Sequence, residues 1–177
     1  GPILWKNIQK NTKRISIEKN ILIFDVTALT DEWKIMSGYS DVFYSYKNMK
    51  LFISDIIECK NSIKSLSDYK LILKPKRKAL PQNDSKYINY LKMLESQNNI
   101  MIIDSNTDID IAIKNSSFII CIPFTSPLIL ANYLNKSSIY YDPTDSIISY
   151  DAQEKFLIKG KKSLYKELLK INKRDIC

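Results

Sequence analysis

The chain contains no histidine. That absence removes the commonest general base and metal ligand, and with it Ser-His-Asp and Cys-His chemistry within the chain. Any catalysis falls to carboxylates, lysines, arginines or a group supplied from elsewhere. Glycine is nearly as scarce, with three in 177 residues. No G-x-G-x-x-G follows the first apolar run and no P-loop pattern is present, which disfavours a dinucleotide site. The three cysteines, Cys59, Cys121 and Cys177, have no paired spacing; a disulfide framework is disfavoured and a reducing compartment expected. No apolar run reaches the length of a membrane span and no secretory signal is visible at the start, so a cytoplasmic location is expected. Gly1-Pro2 fits a scar of recombinant expression, in which case the natural chain continues upstream.

What is present suits one domain. The chain is 45% hydrophobic, enough for a sizeable core at this length. Its net charge of +8 favours phosphate-bearing partners or an anionic membrane surface. The bland account of that charge is an AT-rich genome, which enriches Lys, Ile and Asn together. Nucleic acid is the weaker reading, because the lysines are spread along the chain and no nucleic-acid module signature occurs.

Apolar patterning sets out the elements. Residues 1–20 read as a linker or partial helix around Trp5 and Ile8. Residues 21–177 read as one Rossmann-like domain. Ile21 to Val26, Leu71 to Leu73, Ile100 to Ile103, Phe118 to Ile122 and Ser138 to Tyr141 are short apolar runs of the kind buried in parallel sheets. Phe156 to Ile158 is a candidate sixth strand. Helical spacing covers Met49 to Leu66, Tyr87 to Gln97, Asp108 to Lys114, Leu128 to Leu134 and Leu164 to Ile171. Thr27 to Tyr46 is a long irregular connection that has a job or holds a short helix. Strands alternating with helices at this spacing imply an α/β fold. The expected sheet is mostly parallel, with five to six strands and helices on both faces.

Ligands of such sheets bind beyond the carboxyl ends of the strands, where the strand order reverses. The residues there form a pattern. Asp25 and Thr27 follow the first strand, Lys74-Pro75-Lys76-Arg77-Lys78 the second, and Asp104 the third. Thr125 and Ser126 follow the fourth, and Asp142 the fifth. Thr125 and Ser126 are expected to cap the helix opened by Pro127, whose free N–H groups and dipole suit an anion. Together with the basic loop they read as a phosphate or diphosphate cradle. Taken singly, a solvated basic loop and an ordinary N-cap explain the same residues. Tyr140 is a half-buried strand residue that could line the cleft, and Asp142-Pro143 has a simple reading as a strand-ending turn. Asp25-Val26-Thr27 touches the Asp-x-Asp signature of haloacid-dehalogenase-type phosphatases, but Thr27 stands where that chemistry needs its second Asp.

The stretches ILIFDVT, LILKPKR and FIICIPFTSPLILANYLNKSSIYYDP resemble the carboxyl-terminal, donor-nucleotide half of GT-B glycosyltransferases that build bacterial surface polysaccharide. The resemblance spans roughly Ile21 to Ile158. It implies one half of a GT-B fold, with Lys74, Lys76, Arg77, Thr125 and Ser126 on the nucleotide phosphates. It places Asp142 near the donor sugar or ribose, and Asp25, Thr27, Asp104 and Tyr140 about the cleft. It also implies a UDP- or CMP-sugar as donor substrate, no metal and no other cofactor. Catalytic residues stay unassigned, because acceptor and base would belong to a missing amino-terminal domain or partner subunit. The isolated chain would transfer nothing. Peripheral contact with the inner membrane surface is a further expectation. The rival reading is a non-catalytic α/β module that docks on a protein partner or an anionic membrane.

Overall fold

The computed structural model describes residues 19–38, 44–148 and 154–171. The linker or partial helix expected before residue 19, and Cys177, lie outside the described residues.

Six strands form one sheet: β1 (Asn20–Phe24), β2 (Lys70–Lys74), β3 (Met101–Ile102), β4 (Phe118–Cys121), β5 (Ser138–Asp142) and β6 (Leu157–Lys159). Their spatial order is β3-β2-β1-β4-β5-β6. Every adjacent pair is parallel, with Ile23 opposite Leu73 on one side and Ile120 on the other. The helices are α1 (Asp31–Ser37), α2 (Tyr46–Ser62), α3 (Ser85–Ser96), α4 (Ile109–Lys114), α5 (Ser126–Tyr133) and α6 (Gly160–Leu168). This is a Rossmann-like α/β fold, with its order reversing between β1 and β4.

Strand periodicity splits the core in two. Ile21, Ile23, Leu71, Leu73, Ile120 and Tyr141 face a layer built by α2, α3 and α6. Leu22, Phe24, Ile72, Ile119, Cys121 and Tyr140 face α4 and α5. Both faces are covered, which is why these strands read as unbroken apolar runs rather than alternating ones. On the larger side, Tyr141 donates its hydroxyl to the buried Asp55 of α2 at 2.6 Å and its ring stacks on Phe52.

Element boundaries shift where side chains interrupt the ladder. β1 stops at Phe24, two residues short of the apolar run, because Asp25 turns its carboxylate toward the neighbouring loop. β3 is two residues long at the sheet edge. The long connection after β1 contains α1, capped at its start by the Thr30 hydroxyl and ended by Gly38 at φ 64°, a left-handed position that glycine adopts without strain. α5 starts two residues earlier than its apolar spacing suggests, at Ser126. The candidate sixth strand and the terminal helix both form, the helix opening at Gly160.

Candidate functional site

Three loops at the carboxyl edge of the sheet enclose a pocket of about 420 Å³. Phe24, Asp25 and Val26 enter from β1, Lys74, Pro75 and Lys76 from β2, and Ile122 to Pro127 from β4, with Tyr44 and Ile109 completing the wall. The two strands on either side of the reversal, β1 and β4, both contribute, so the pocket occupies the topological switch point.

The β4–α5 turn is built unusually. Phe124 holds φ 61°, a left-handed conformation that costs a bulky L-residue about 1–2 kcal/mol. Phe124 is 47% exposed, and its ring lies 6.0 Å from the ring of Tyr140. Tyr140 is fully buried beneath the turn and donates its hydroxyl to the Thr125 carbonyl at 2.7 Å. It therefore supports the pocket from below rather than lining it. Thr125 occupies the N-cap position of α5, but its hydroxyl donates backwards to the Ile122 carbonyl at 2.7 Å and caps nothing. The expected side-chain cap is thus replaced by a bond that closes the turn. Helix geometry leaves the amides of Thr125, Ser126 and Leu128 without intrahelical acceptors, and the Thr125 side chain makes no cap bond to them. Pro127 has no N–H to satisfy. The Ser126 side chain is exposed at the pocket.

Strain at Phe124 gives a stability test with an inverted order. Phe124→Gly is expected to be more stable than Phe124→Ala by about 1 kcal/mol, the reverse of the usual ranking. Both variants lose the ring, but only alanine keeps a Cβ at positive φ. Urea denaturation of the pair checks this; alanine above glycine would show that the turn relaxes.

Asp25 ties two of the three loops together. It is 4% exposed. Its carboxylate accepts the Lys76 backbone N–H at 2.9 Å, the Tyr87 hydroxyl of α3 at 2.6 Å and the Thr27 backbone N–H. Burial raises the carboxyl above its ordinary value of 3.8, against these three bonds and the charge of Lys74, which pull it down. Burial, then the charge of Asp25, holds the Tyr87 phenol well above its ordinary value, so Tyr87 remains a donor at any working pH. Turning its N–H toward Asp25 puts Thr27 at φ 32°, a strained conformation for a β-branched residue. The Thr27 hydroxyl is buried and has no hydrogen-bond partner among the described residues, a cost of about 1–3 kcal/mol.

The raised carboxyl has a defined linkage sign. Between the unfolded value near 3.8 and the higher folded value, the native chain binds more protons than the unfolded one, so the stability attached to Asp25 falls as pH rises. The stability of the native sequence relative to Asp25→Asn is therefore expected to decline from about pH 4 upward and to level off once the folded value is passed. Denaturation midpoints across pH read this directly. A relative stability that rises over that interval would mean that hydrogen bonding, not burial, dominates the site.

The other candidates fall into distinct positions. Lys74 is buried; its ammonium donates to the Ser105 carbonyl at 2.6 Å, and burial lowers its pKa against the pull of Asp104, Asp25 and Asp108. Lys76 is exposed, with its ammonium 6.0 Å above the Tyr44 ring. Arg77 does not line the switch pocket; it borders two smaller cavities beside it. Thr27 borders those same cavities, and Asp104 borders the larger of them. Asp142 is 0% exposed, and its carboxylate accepts the Thr144 N–H, the Thr144 hydroxyl and the Ile147 N–H at 2.6–2.9 Å. Its geometry is that of a loop organiser, away from the pocket wall. Sequence reasoning missed Tyr87, Tyr44 and the conformation of Phe124; a tyrosine on the inner face of a helix near a strand-ending Asp was the one available signal, and spacing treats it as core.

Chemically the site offers an exposed lysine, unfilled helix-start amides, an exposed serine and aromatic walls. Burial raises both described thiols, Cys59 to about 11 and Cys121 further, so neither is a thiolate at neutral pH. Among the described residues no cluster of three or more Cys, Asp or Glu side chains could hold a metal ion, and no helix is long and apolar enough to cross a membrane.

Residues 1–168 match the model of a family described as polysaccharide biosynthesis PFTS motif protein. No curated protein matches the chain. The tetrapeptide Pro-Phe-Thr-Ser occurs once in the sequence, at Pro123 to Ser126, and all four residues line the switch-point pocket.

Proposed function

Because the chain belongs to the polysaccharide biosynthesis PFTS motif family, we propose that it is the donor-binding domain of a glycosyltransferase that builds bacterial surface polysaccharide from a nucleotide-activated sugar. The observation that carries this reading is the coincidence of the Pro123–Ser126 turn with the pocket at the strand-order reversal, the place where open parallel sheets take ligands. In this reading a phosphate of a UDP- or CMP-sugar lies against the first-turn amides of α5 and the Ser126 hydroxyl, with Lys76 supplying the countercharge. As the bond from the anomeric carbon to the phosphate oxygen breaks, negative charge grows on that phosphate. Fixed N–H dipoles and an ammonium stabilise it without reorganising. The aromatic walls at Tyr44 and Phe124 suit a nucleobase or ribose face.

The chain is then one half of a GT-B fold, and the catalytic base and the site for the acceptor's reacting hydroxyl come from a second domain or partner subunit. Trp33, Ile35 and Met36 on α1, which leaves the same sheet edge, are exposed and form the apolar surface such a half would cover. The test is a thermal-shift panel of nucleoside mono- and diphosphates and their sugars. The reading predicts a higher Tm with at least one nucleotide and no response to the matching nucleoside. A flat response across the panel contradicts it.

A further inference from the structure

We propose that a second pocket, on the far side of the basic loop from the switch point, binds an acidic sugar residue of the acceptor polysaccharide. The identity of the ligand as acceptor rests on the transferase reading above; the chemistry of the pocket does not. This cavity measures about 220 Å³, a size that suits a single sugar ring. Pro75 lines both pockets and is the wall between them. The loop thus divides its cations: Lys74 and Lys76 face the switch-point pocket, while Arg77 and Lys78 face this one.

Three features define the ligand. First, Arg77 and Lys78 are exposed, and among the described residues neither is held in an ion pair. Arginine presents a planar fork that matches a carboxylate. Secondly, Asp104 stands on the rim. Among the lining residues one carboxylate stands against two cations, a balance that a single carboxylate on the ligand completes. Asp104 also offers acceptor oxygens to sugar hydroxyls. Thirdly, Ala79, Ile88 and Leu91 line the pocket and offer an apolar surface to the C–H face of a pyranose. Thr27 also borders it, and its buried hydroxyl has no partner among the described residues, so a ligand hydroxyl in the pocket would meet an unsatisfied group. A ligand with one carboxylate, several hydroxyls and an apolar face is an acidic sugar.

The experiment is an amide-resolved NMR titration of the full chain with glucuronate, glucose, inorganic phosphate and, separately, the nucleotide that gives the largest thermal shift. Glucuronate is expected to move the amides of Arg77, Lys78, Ala79 and Asp104, while glucose leaves them in place and phosphate moves them less. In Arg77→Ala/Lys78→Ala, two exposed changes, glucuronate affinity should fall at least tenfold while nucleotide affinity stays within twofold. Absence of a glucuronate response, an equal response to phosphate, or parallel loss of both ligands in the double variant overturns the proposal. A glucuronate response without any nucleotide response would instead sink the transferase reading and leave the acidic-sugar pocket standing.

Discussion

Asp25→Ala is expected to lower the unfolding free energy by about 3–5 kcal/mol. The carboxylate serves three donors: the Tyr87 hydroxyl and the backbone N–H groups of Lys76 and Thr27. Each buried donor left without an acceptor costs about 1–3 kcal/mol. Their sum is tempered by relief from burying a carboxylate and by water that enters from the pocket side. For a chain of this size the change corresponds to a fall in Tm of roughly 8–15 °C. Tyr87→Phe removes one donor along with its need for a partner, so it should cost only about 1–1.5 kcal/mol. Urea denaturation of both variants provides the check. If Asp25→Ala costs no more than Tyr87→Phe, Asp25 is not the tie between the loops.

Lys76→Glu is expected to weaken nucleotide binding at least about 30-fold, or about 2 kcal/mol, while leaving stability within about 0.5 kcal/mol. The asymmetry follows from where the two pocket lysines stand. Lys74 is buried with its ammonium on the Ser105 carbonyl, so its charge is partly committed to the fold. Lys76 is exposed, with its ammonium over the Tyr44 ring. It is therefore the cation able to meet a phosphate without losing a bond elsewhere. Because that contact is open to solvent, affinity in the native sequence should fall with added salt, and the salt dependence should shrink in the variant. Isothermal titration at two ionic strengths measures both effects. Unchanged affinity in Lys76→Glu would remove Lys76 from the site.

The sheet and its helices were legible because their causes are local. Ile21 to Phe24, Leu71 to Leu73 and Phe118 to Cys121 are apolar on both faces, and that pattern has few outcomes other than a covered parallel strand. The apolar spacing of Leu51, Phe52, Ile56, Ile57 and Ile63 likewise foretold a helix between Met49 and Leu66, although Leu51 stands on its exposed side. The carboxyl edge where a ligand would sit followed from the alternation, whereas the point at which the strand order reverses came from the structure. The direction of individual side chains could not. Arg77 follows Lys76 by one residue yet faces another cavity, because adjacent residues of a loop point to different sides. The Thr125 hydroxyl had two acceptor and donor options, and the turn closed on the Ile122 carbonyl. Asp25 meets Tyr87 across 62 positions, a contact made by the packing of α3 against the sheet and invisible to spacing. Asp142 holds its own loop, so the simple turn reading of Asp142-Pro143 accounts for its geometry.

If the Pro123–Ser126 turn and Lys76 hold the phosphate of a nucleotide, amide-resolved NMR of the chain titrated with a nucleoside diphosphate or monophosphate should show the largest shifts at the N–H groups of Thr125, Ser126, Leu128 and Lys76. The matching nucleoside should move them far less. Shifts centred elsewhere, or equal shifts from nucleoside and nucleotide, would contradict that placement.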